Sequence, residues 1–340
     1  MSPIAGALGV LTADIAARSA RLGRQAVVSE DLLERTGHLT LKPPGVWSAN
    51  RSCRMVEAAD GWIAVNLARP DDQTLLPAWL ETEVGVDPWP VILTAVRERP
   101  WRDLIATARL LGLPISGVGE AAAAPAGTPL IHMTSGMRAD RGKPLKVVDM
   151  SAMWAGPLCG AVFASGGAEV NKVESLGRPD PVRLATPVLF ERLNGAKSHS
   201  AIDFAARPAI DRLRDEMASA DVVITSARPR AFDQLGLAPS VLFAANPALV
   251  WVAVSAYGWQ GEAADWVGFG DDTAAAAGLV RWTKRRAPRF LGDALADPIT
   301  GLAAAAGALA ALEQGGGFLV DAGLAPSAAR AAALRRTMAA

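Results

Sequence analysis

From about residue 145, short β-branched runs alternate with helical segments. Few folds accommodate such a pattern, because strands separated by helices form right-handed βαβ units. These units build a mainly parallel sheet with helices on both faces. An amphipathic helix with Ile210, Leu213 and Met217 on one face fits this arrangement. The predicted strands are residues 145–150, 168–174, 200–204, 220–225 and 249–255.

The first 120 residues show a different pattern. Asp60-Gly61 is a typical hairpin turn between two β-rich runs, and short helical segments follow it. We therefore predict a smaller α+β domain over residues 1–120 and a Rossmann-like α/β domain over residues 145–340. Residues 121–144 are rich in Ala, Pro and Gly and are predicted to form the linker.

Charge and cysteine usage argue against several classes of partner. Lys plus Arg and Asp plus Glu both number 34, so no net charge attracts nucleic acid or an anionic membrane. Cys53 and Cys159 lack CxxC spacing, which argues against a disulfide framework or a zinc site. The N-terminus has no basic segment, and the apolar run at 301–312 is too short to span a bilayer. The sequence predicts a cytoplasmic protein without a metal, nucleic-acid or membrane partner.

The turn after the first strand of the larger domain is where a dinucleotide binds in such sheets. Its sequence at 151–160, SAMWAGPLCG, lacks the GxGxxG spacing that cradles a pyrophosphate. An NAD-dependent oxidoreductase is therefore not expected. Walker A, HExxH and GxSxG motifs are also absent from the sequence, which argues against P-loop, zincin and α/β-hydrolase chemistry.

An ordered set of motifs resembles class III CoA-transferases. Residues 147–157 (VVDMSAMWAGP), 167–174 (GAEVNKVE) and 177–183 (GRPDPVR) are similar to the opening strand, turn and loop of that family. Residues 193–203 and 220–236 (ADVVITSARPRAFDQLG) continue the resemblance in the same order. The resemblance implies transfer of coenzyme A from an acyl-CoA to a carboxylic acid, with coenzyme A as a substrate.

The segment GDALADPITG at 292–301 resembles the part of the family that carries its catalytic aspartate, which falls on Asp297. The resemblance implies that this carboxylate attacks the thioester, forms a mixed anhydride and then an aspartyl-CoA thioester. Asp297 precedes Pro298 at a helix start, where negative charge is favoured, so we expect an ionised side chain. An ordinary helix N-cap is the alternative interpretation, and Asp293 is a competing candidate with poorer spacing.

The resemblance also implies which residues contact coenzyme A. Two turns supply most of them, and Arg228 is the strongest candidate because a guanidinium suits phosphate or adenine. A solvated turn arginine is the alternative interpretation of that residue. Lys197 and Arg183 are weaker phosphate candidates. The full set of predicted contacts is Met153, Trp154, Arg183, Lys197, Ser226, Arg228 and Leu235.

Some positions depart from the family pattern. Gly270 stands where the family has an acidic residue, Gln234 where it often has arginine, and Ser226 where it has asparagine. These changes motivate an alternative, a catalytically degenerate relative that binds coenzyme A or acyl-CoA or supports a partner subunit. An α-methylacyl-CoA racemase is less favoured because none of the three histidines falls where that acid/base pair needs one. The histidines are His38, His132 and His199.

The N-terminal region resembles a later part of the same family. Residues 55–65 are similar to a hairpin of its small domain, and residues 101–118 to the helix that follows. In ordinary members this domain comes after the nucleotide-binding part, so the domain order is predicted to be permuted, or the chain to be a section of a tandem pair. The resemblance also implies a homodimer.

Overall fold

The computed structural model describes residues 4–35, 39–121, 127–136 and 143–339. Its strands are β1 (Cys53–Ala58), β2 (Gly61–Asn66), β3 (Ile115–Gly117), β4 (Leu130–His132), β5 (Lys146–Met150), β6 (Glu169–Ser175), β7 (Ser198–Ile202), β8 (Val222–Thr225), β9 (Val250–Ser255), β10 (Val280–Trp282), β11 (Pro288–Phe290) and β12 (Phe318–Gly323). Its α-helices are α1 (Ala5–Arg21), α2 (Pro70–Thr74), α3 (Leu76–Leu80), α4 (Trp89–Arg97), α5 (Trp101–Leu110), α6 (Ala155–Ser165), α7 (Val182–Ala185), α8 (Pro187–Asn194), α9 (Arg207–Ser219), α10 (Pro229–Leu235), α11 (Pro239–Ala245), α12 (Gly270–Ala276), α13 (Ala296–Glu313) and α14 (Leu324–Ala339).

A seven-stranded sheet has the order β4-β12-β9-β8-β5-β6-β7. Its neighbours pair in parallel except β4, which pairs antiparallel with β12 at the edge. The chain winds outward from β5 through β6 and β7 on one side, and through β8, β9 and β12 on the other. The predicted mainly parallel sheet is therefore confirmed. Its winding reverses between β5 and β8, the point where ligands bind in sheets of this kind.

Two apolar layers cover this sheet. One contains α1, α6, α13 and α14, and the other contains α9 and α11. Helix α13 is buried along nearly its whole length because its Ala and Gly residues let neighbouring backbones approach closely. A Cβ at Gly301 would lie 2.7 Å from the carbonyl oxygen of Ala155. The predicted buried helix at 301–312 is thus confirmed.

The smaller unit is an antiparallel sheet of β1, β2 and β3 covered by α3, α4 and α5. Its hairpin closes where Ala58 pairs with Gly61, as the Asp60-Gly61 turn predicts. The indole N–H of the buried Trp79 donates to the carbonyl of Leu104 (2.9 Å) and ties α3 to α5. The packing of these elements gives the unit its own core.

The packing differs from the predicted domain boundaries. Ile15 of α1 and Leu32 belong to the core of the larger unit, so residues 4–35 pack there and not with the smaller sheet. Strand β4, within the predicted linker, forms the edge of the large sheet. Helical periodicity shows that α1 has an apolar face but not which partner covers it. Residues 122–126 and 137–142 of the predicted linker lie outside the described residues.

Helix α12 lies between the two units. The side-chain amide of Asn66 on β2 donates to Asp272 (2.7 Å), and the hydroxyl of Ser116 on β3 donates to the backbone carbonyl of the same residue (2.7 Å). The backbone N–H of Gly119 donates to Ala275 (2.9 Å). These bonds fix α12, whose first residue borders the candidate site. In the described part of the chain, no helix has both the length and the apolarity needed to cross a lipid bilayer.

Candidate active site

Asp297 lies in the first turn of α13, and its backbone N–H donates to the carbonyl of Ala294 (3.0 Å). Its carboxylate lies against the backbone of Gly270, the first residue of α12. A Cβ at Gly270 would collide with Asp297 Oδ2 and would lie 2.7 Å from the Ala294 carbonyl oxygen. The glycine that departs from the family pattern therefore makes room for this carboxylate.

Asp293 and Asp297 differ in their partners. Arg35 donates from Nε and Nη2 to the two carboxylate oxygens of Asp293, both at 2.7 Å. Among the described residues, no group donates a hydrogen bond to the carboxylate of Asp297, and that residue is partly exposed. The arrangement leaves Asp297, and not Asp293, with oxygens open to a reacting partner.

Burial controls the protonation of this site. Burial raises the pKa of Asp297 to about 7; Arg35 opposes the shift, and the charges of Asp271 and Asp293 add to it. Burial and then the charge of Asp293 raise the pKa of Asp271 to about 6. Desolvation thus opposes the ionised side chain expected from the sequence more strongly than the field of the helix N-terminus favours it. A pKa near neutrality makes both the acid and the carboxylate accessible around pH 7.

Three distant parts of the chain meet at Asp271. The side-chain amide of Asn50 donates to its Oδ2 (3.0 Å), and the backbone N–H of Ala294 donates to its Oδ1 (2.8 Å). Ala294 has a φ of 44°, a strained backbone for a residue with a Cβ. Asp271 thus holds the turn that leads into Asp297, while Arg35 reaches the same turn through Asp293.

The turns after β5 and β8 meet at the point where the winding of the sheet reverses. The hydroxyl of Ser226 accepts a hydrogen bond from the backbone N–H of Ala152 (2.9 Å) and joins the two turns. Met153 has a φ of 73°, and its N–H donates to Asp180 (3.2 Å). The side chains of Ser226 and Met153 are exposed at this carboxyl edge, where a ligand can reach them.

Arg228 lies two residues after Ser226, and its side chain is also exposed. Partial burial and then the charges of Arg230, Arg69 and Arg178 lower its pKa, while Asp265 opposes them. Arg69 of the smaller unit and Arg178 of the loop after β6 therefore lie close enough to act on Arg228, with Arg69 itself paired to Asp72. Such a cluster can bind the phosphates of an anionic nucleotide.

Arg183 forms an ion pair with Glu174, and its guanidinium lies 4.0 Å from the centroid of the Phe190 ring. It remains partly exposed near the end of β6. Phosphate contact from this residue stays a prediction.

Trp154 lies elsewhere than expected, and Leu235 is partly covered. Trp154 is buried, its indole N–H donates to Leu32 (2.9 Å), and one ring face is covered by Arg35 at 5.1 Å. Leu235 packs against the apolar layer beneath α10. The buried Trp154 is therefore not presented to a ligand. Leu235 keeps part of its side chain exposed, and its contact with coenzyme A stays a prediction.

Lys197 differs most from its predicted role as a phosphate contact. Its ammonium is fully buried and donates to Asp149 Oδ2 (2.7 Å), to the Pro157 carbonyl (2.9 Å) and to Asn194 Oδ1 (2.8 Å). All three of its N–H bonds are used, so it has none to offer a phosphate. It fixes the first βα unit from inside.

Sequence reasoning missed several residues of this region. Arg35 and Asn50 carry no local pattern and reach the site only through folding. Asp271 was not among the predicted site residues, and Arg69 and Arg178 stand in segments that gave no phosphate signal. The usable clue in the sequence was Gly270, which stands where the family has an acidic residue, since a glycine leaves room for a neighbouring carboxylate.

The sequence profile of the family described as CoA-transferase family III matches residues 143–339, more than half of the chain. The chain belongs to CoA-transferase family III. The matched part contains both Asp297 and the two turns at the carboxyl edge, whereas the smaller unit lies outside it.

Curated members of the family are similar to this chain over part of their length. A succinyl-CoA–D-citramalate CoA-transferase from Chloroflexus aurantiacus is 33% identical over 197 residues, which are 53% of this chain and 48% of that protein. A (R)-2-hydroxy-4-methylpentanoate CoA-transferase from Clostridioides difficile is 29% identical over 184 residues, 50% of this chain and 46% of that protein. The chain spans about half the length of the curated relatives it matches.

Solved structures are also similar to this chain over part of its length. A hypothetical protein from Mycobacterium tuberculosis superimposes with a TM-score of 0.54 and 30% identity, covering 60% of this chain and 59% of that one. A CAIB/BAIF family protein from Brucella suis gives a TM-score of 0.51 and 29% identity, covering 54% and 53%. Both likenesses are consistent with the parallel sheet.

Proposed function

We propose that this protein transfers coenzyme A from an acyl-CoA thioester to a carboxylic acid, with Asp297 as the covalent nucleophile. The state of the Asp297 carboxylate is the observation that supports this proposal best. It receives no hydrogen bond from the described residues, is partly exposed and has a pKa of about 7. A desolvated carboxylate is more basic, and therefore more nucleophilic, than one in water.

The proposed reaction has four exchanges. Ionised Asp297 attacks the thioester carbonyl and expels the CoA thiolate, leaving an aspartyl–acyl anhydride. The thiolate attacks the aspartyl carbonyl, which releases the first acid and leaves an aspartyl-CoA thioester. The acceptor carboxylate attacks that thioester and expels the thiolate again. The thiolate then attacks the acceptor carbonyl of the new anhydride, which yields the new acyl-CoA and restores Asp297.

We propose that the turns holding Met153, Ser226 and Arg228 bind the nucleotide end of coenzyme A. Their place at the reversal of the sheet and the positive charge of Arg69 and Arg178 nearby support this assignment. Because coenzyme A is consumed and re-formed as a substrate, the proposed reaction needs neither NAD nor a metal ion.

Trapping with hydroxylamine tests the nucleophile. The protein is incubated separately with acetyl-CoA, butyryl-CoA and succinyl-CoA, and peptides are then analysed by mass spectrometry. We expect a hydroxamate on Asp297, its loss in Asp297→Asn, and its retention in Asp293→Asn. A hydroxamate on Asp293, or coenzyme A binding by calorimetry without any adduct, would instead favour the competing aspartate or a degenerate binding protein.

The state of assembly, the location and the permuted domain order remain proposals. We propose a cytoplasmic homodimer, as the resemblance to the family implies. One relative from Chloroflexus aurantiacus is named the alpha subunit of a succinyl-CoA–L-malate CoA-transferase, so a second kind of subunit is the alternative. Size-exclusion chromatography with light scattering would separate these cases, and a monomer at all concentrations would contradict the homodimer. A racemase, which would pair a histidine with an aspartate, is less favoured, because the two described histidines lie on the edge strands, His132 on β4 and His199 on β7.

A further inference from the structure

A cavity lies between α5 of the smaller unit and the segment that follows β9, apart from the candidate active-site residues described above. Its volume is about 540 Å³, within the range of small-molecule sites. Its walls are mainly apolar, with Ile105 on one side and Pro326, just after β12, on the other. The cavity thus combines two usual places for ligands, a junction between units and the carboxyl edge of a parallel sheet.

Two arginines of α5 point into this cavity from one helix face, since positions 102 and 109 are seven residues apart. The guanidinium of Arg102 lies 4.4 Å from the centroid of Trp101, and that of Arg109 lies 3.5 Å from the centroid of Trp266. Stacking on an indole fixes a guanidinium in a plane while its N–H edge stays free for an oxyanion.

The platform beneath Arg102 is itself rigid. The indole of Trp101 lies over β2 and β3, where a Cβ at Gly61 would approach it to 2.8 Å and one at Gly117 would collide with it. The backbone N–H of Trp101 also donates to Asp60 (2.8 Å). The stacked pair is therefore held in place before any ligand arrives.

The charges of the cavity do not balance. Nη2 of Arg109 donates to Glu120 Oε1 (2.9 Å), which also accepts a longer bond from the hydroxyl of Tyr257 (3.3 Å). Within the described ranges, Arg102 has neither an ion pair nor a hydrogen bond to an acidic group. One cation with open donors therefore faces an apolar cavity, and an anion with an apolar body complements it.

We propose that this cavity binds a small carboxylic acid with an aromatic or branched apolar body. The carboxylate pairs with the N–H edges of Arg102 and Arg109, and the body packs between Ile105, Trp266 and Pro326. Asp297 and the turns proposed to bind coenzyme A do not line this cavity, so the proposal does not depend on coenzyme A transfer.

Calorimetric titration of the full chain with 3-phenylpropionate tests the site. We expect saturable binding with one site per chain, and much weaker binding of 3-phenylpropanamide, which has the same body without the charge. Arg102→Met should weaken binding of the acid by about tenfold, the loss of one charge-assisted contact. Arg102→Lys should recover part of it. Arg97→Met, an exposed arginine of α4, is the matched control and should bind like the parent protein.

The outcomes separate this site from the transferase site. Asp297→Asn should bind the acid unchanged, and saturating coenzyme A should not displace it. The proposal would be overturned if Arg102→Met bound the acid as tightly as the parent protein, or if the parent bound the amide as tightly as the acid. Displacement of the acid by coenzyme A would overturn it as well. Failure of hydroxylamine trapping at Asp297 would not affect it, since the titration requires no turnover.

Discussion

Two groups of charges, one fully buried and one largely buried, lie in the larger unit, and they are built in opposite ways. Inside the first βα unit, Asp149 and Asp180 face Lys197 and Lys172, so each carboxylate has an ammonium partner. At the start of α13, three aspartates share one arginine. Burial alone would raise the pKa of Asp149, yet Lys197 and Lys172 together lower it. The pKa of Asp297 is instead raised to about 7.

This contrast separates a structural role from a reactive one. A compensated buried pair has satisfied hydrogen bonds and resists change, because removal of either partner leaves an isolated charge. An acid-rich cluster keeps one carboxyl group near its ionisation midpoint, where it can act as a nucleophile. The first group therefore shapes the turn that carries Met153, and the second supplies the chemistry.

Lys197→Met should cause the largest loss of stability. It leaves the Asp149 carboxylate buried without its nearest cation, so the free energy of unfolding should fall by about 3–5 kcal/mol. Urea denaturation measures the loss. Lys146→Met, an exposed lysine of β5, is the control and should change little. Partial recovery is expected in Asp149→Asn/Lys197→Met, and a single variant as stable as the parent would contradict the compensated-pair description.

Gly270→Ala should disturb the acid-rich cluster directly. The new methyl group would collide with Asp297 Oδ2 and crowd the Ala294 carbonyl, costing about 1–3 kcal/mol and most of the transferase activity. Thermal denaturation and the hydroxamate yield measure the two effects. Gly9→Ala makes the same change on the exposed face of α1, where no atom lies within 4 Å, and should be neutral or stabilising. Unchanged adduct formation in Gly270→Ala would show that the close approach is irrelevant.

Asp272→Asn should flatten the pH dependence of stability. Asp272 Oδ2 and Asn66 Oδ1 are both buried without a hydrogen-bond partner, and one proton on the carboxyl group would satisfy both. Burial raises the pKa of Asp272 well above its usual value. Its contribution is therefore complete below the unfolded pKa, roughly 4, and is lost as pH rises through the folded pKa.

The neutral amide of Asp272→Asn imitates the protonated acid, so the variant should be more stable than the parent above neutral pH. Urea denaturation from pH 5 to 9 gives the comparison, with the exposed Asp215→Asn as control. A variant that loses stability at every pH would refute the protonated pair.

Asp271→Asn should produce the smallest effect, a shift of the pH profile. Asp297 must be ionised to attack, so kcat/KM for the acyl-CoA should rise with pH and level off above about 7 in the parent. Removing the neighbouring charge lowers the pKa of Asp297, so the rise should move to lower pH. Steady-state rates from pH 5 to 9 measure it, with the exposed Asp103→Asn as control. A midpoint that stays in place would mean that Asp271 acts only through its hydrogen bonds.

Local pattern predicted five of the seven strands of the sheet, but not β4 and β12, and not the environment of its charges. The β-branched runs at β5, β8 and β9 predicted strands because side chains buried on both faces must be apolar. Asp297 was predicted from the family resemblance, and Pro298 after it indicated the helix start. The raised pKa of Asp297 could not be predicted, since it depends on Gly270 and Asp271, which approach from another element.

Lys197 shows why the remaining assignments were weaker. A lysine in a polar loop has the same sequence signal whether its ammonium faces solvent or a buried carboxylate 48 positions away. The same holds for Arg35, whose partner Asp293 is 258 positions away in the chain. Contacts of this kind are created by folding and leave no local periodicity.

The shared core around α12 limits how the protein can be divided. Met55 and Ala64 of the smaller sheet pack against Ala275 and Phe290 of the larger unit, and α1 covers α13. Expression of residues 143–339 alone, the span that the family profile matches, would expose both apolar faces to water. Such a fragment should aggregate, so studies of the family-matched half require the N-terminal half on the same polypeptide or supplied beside it.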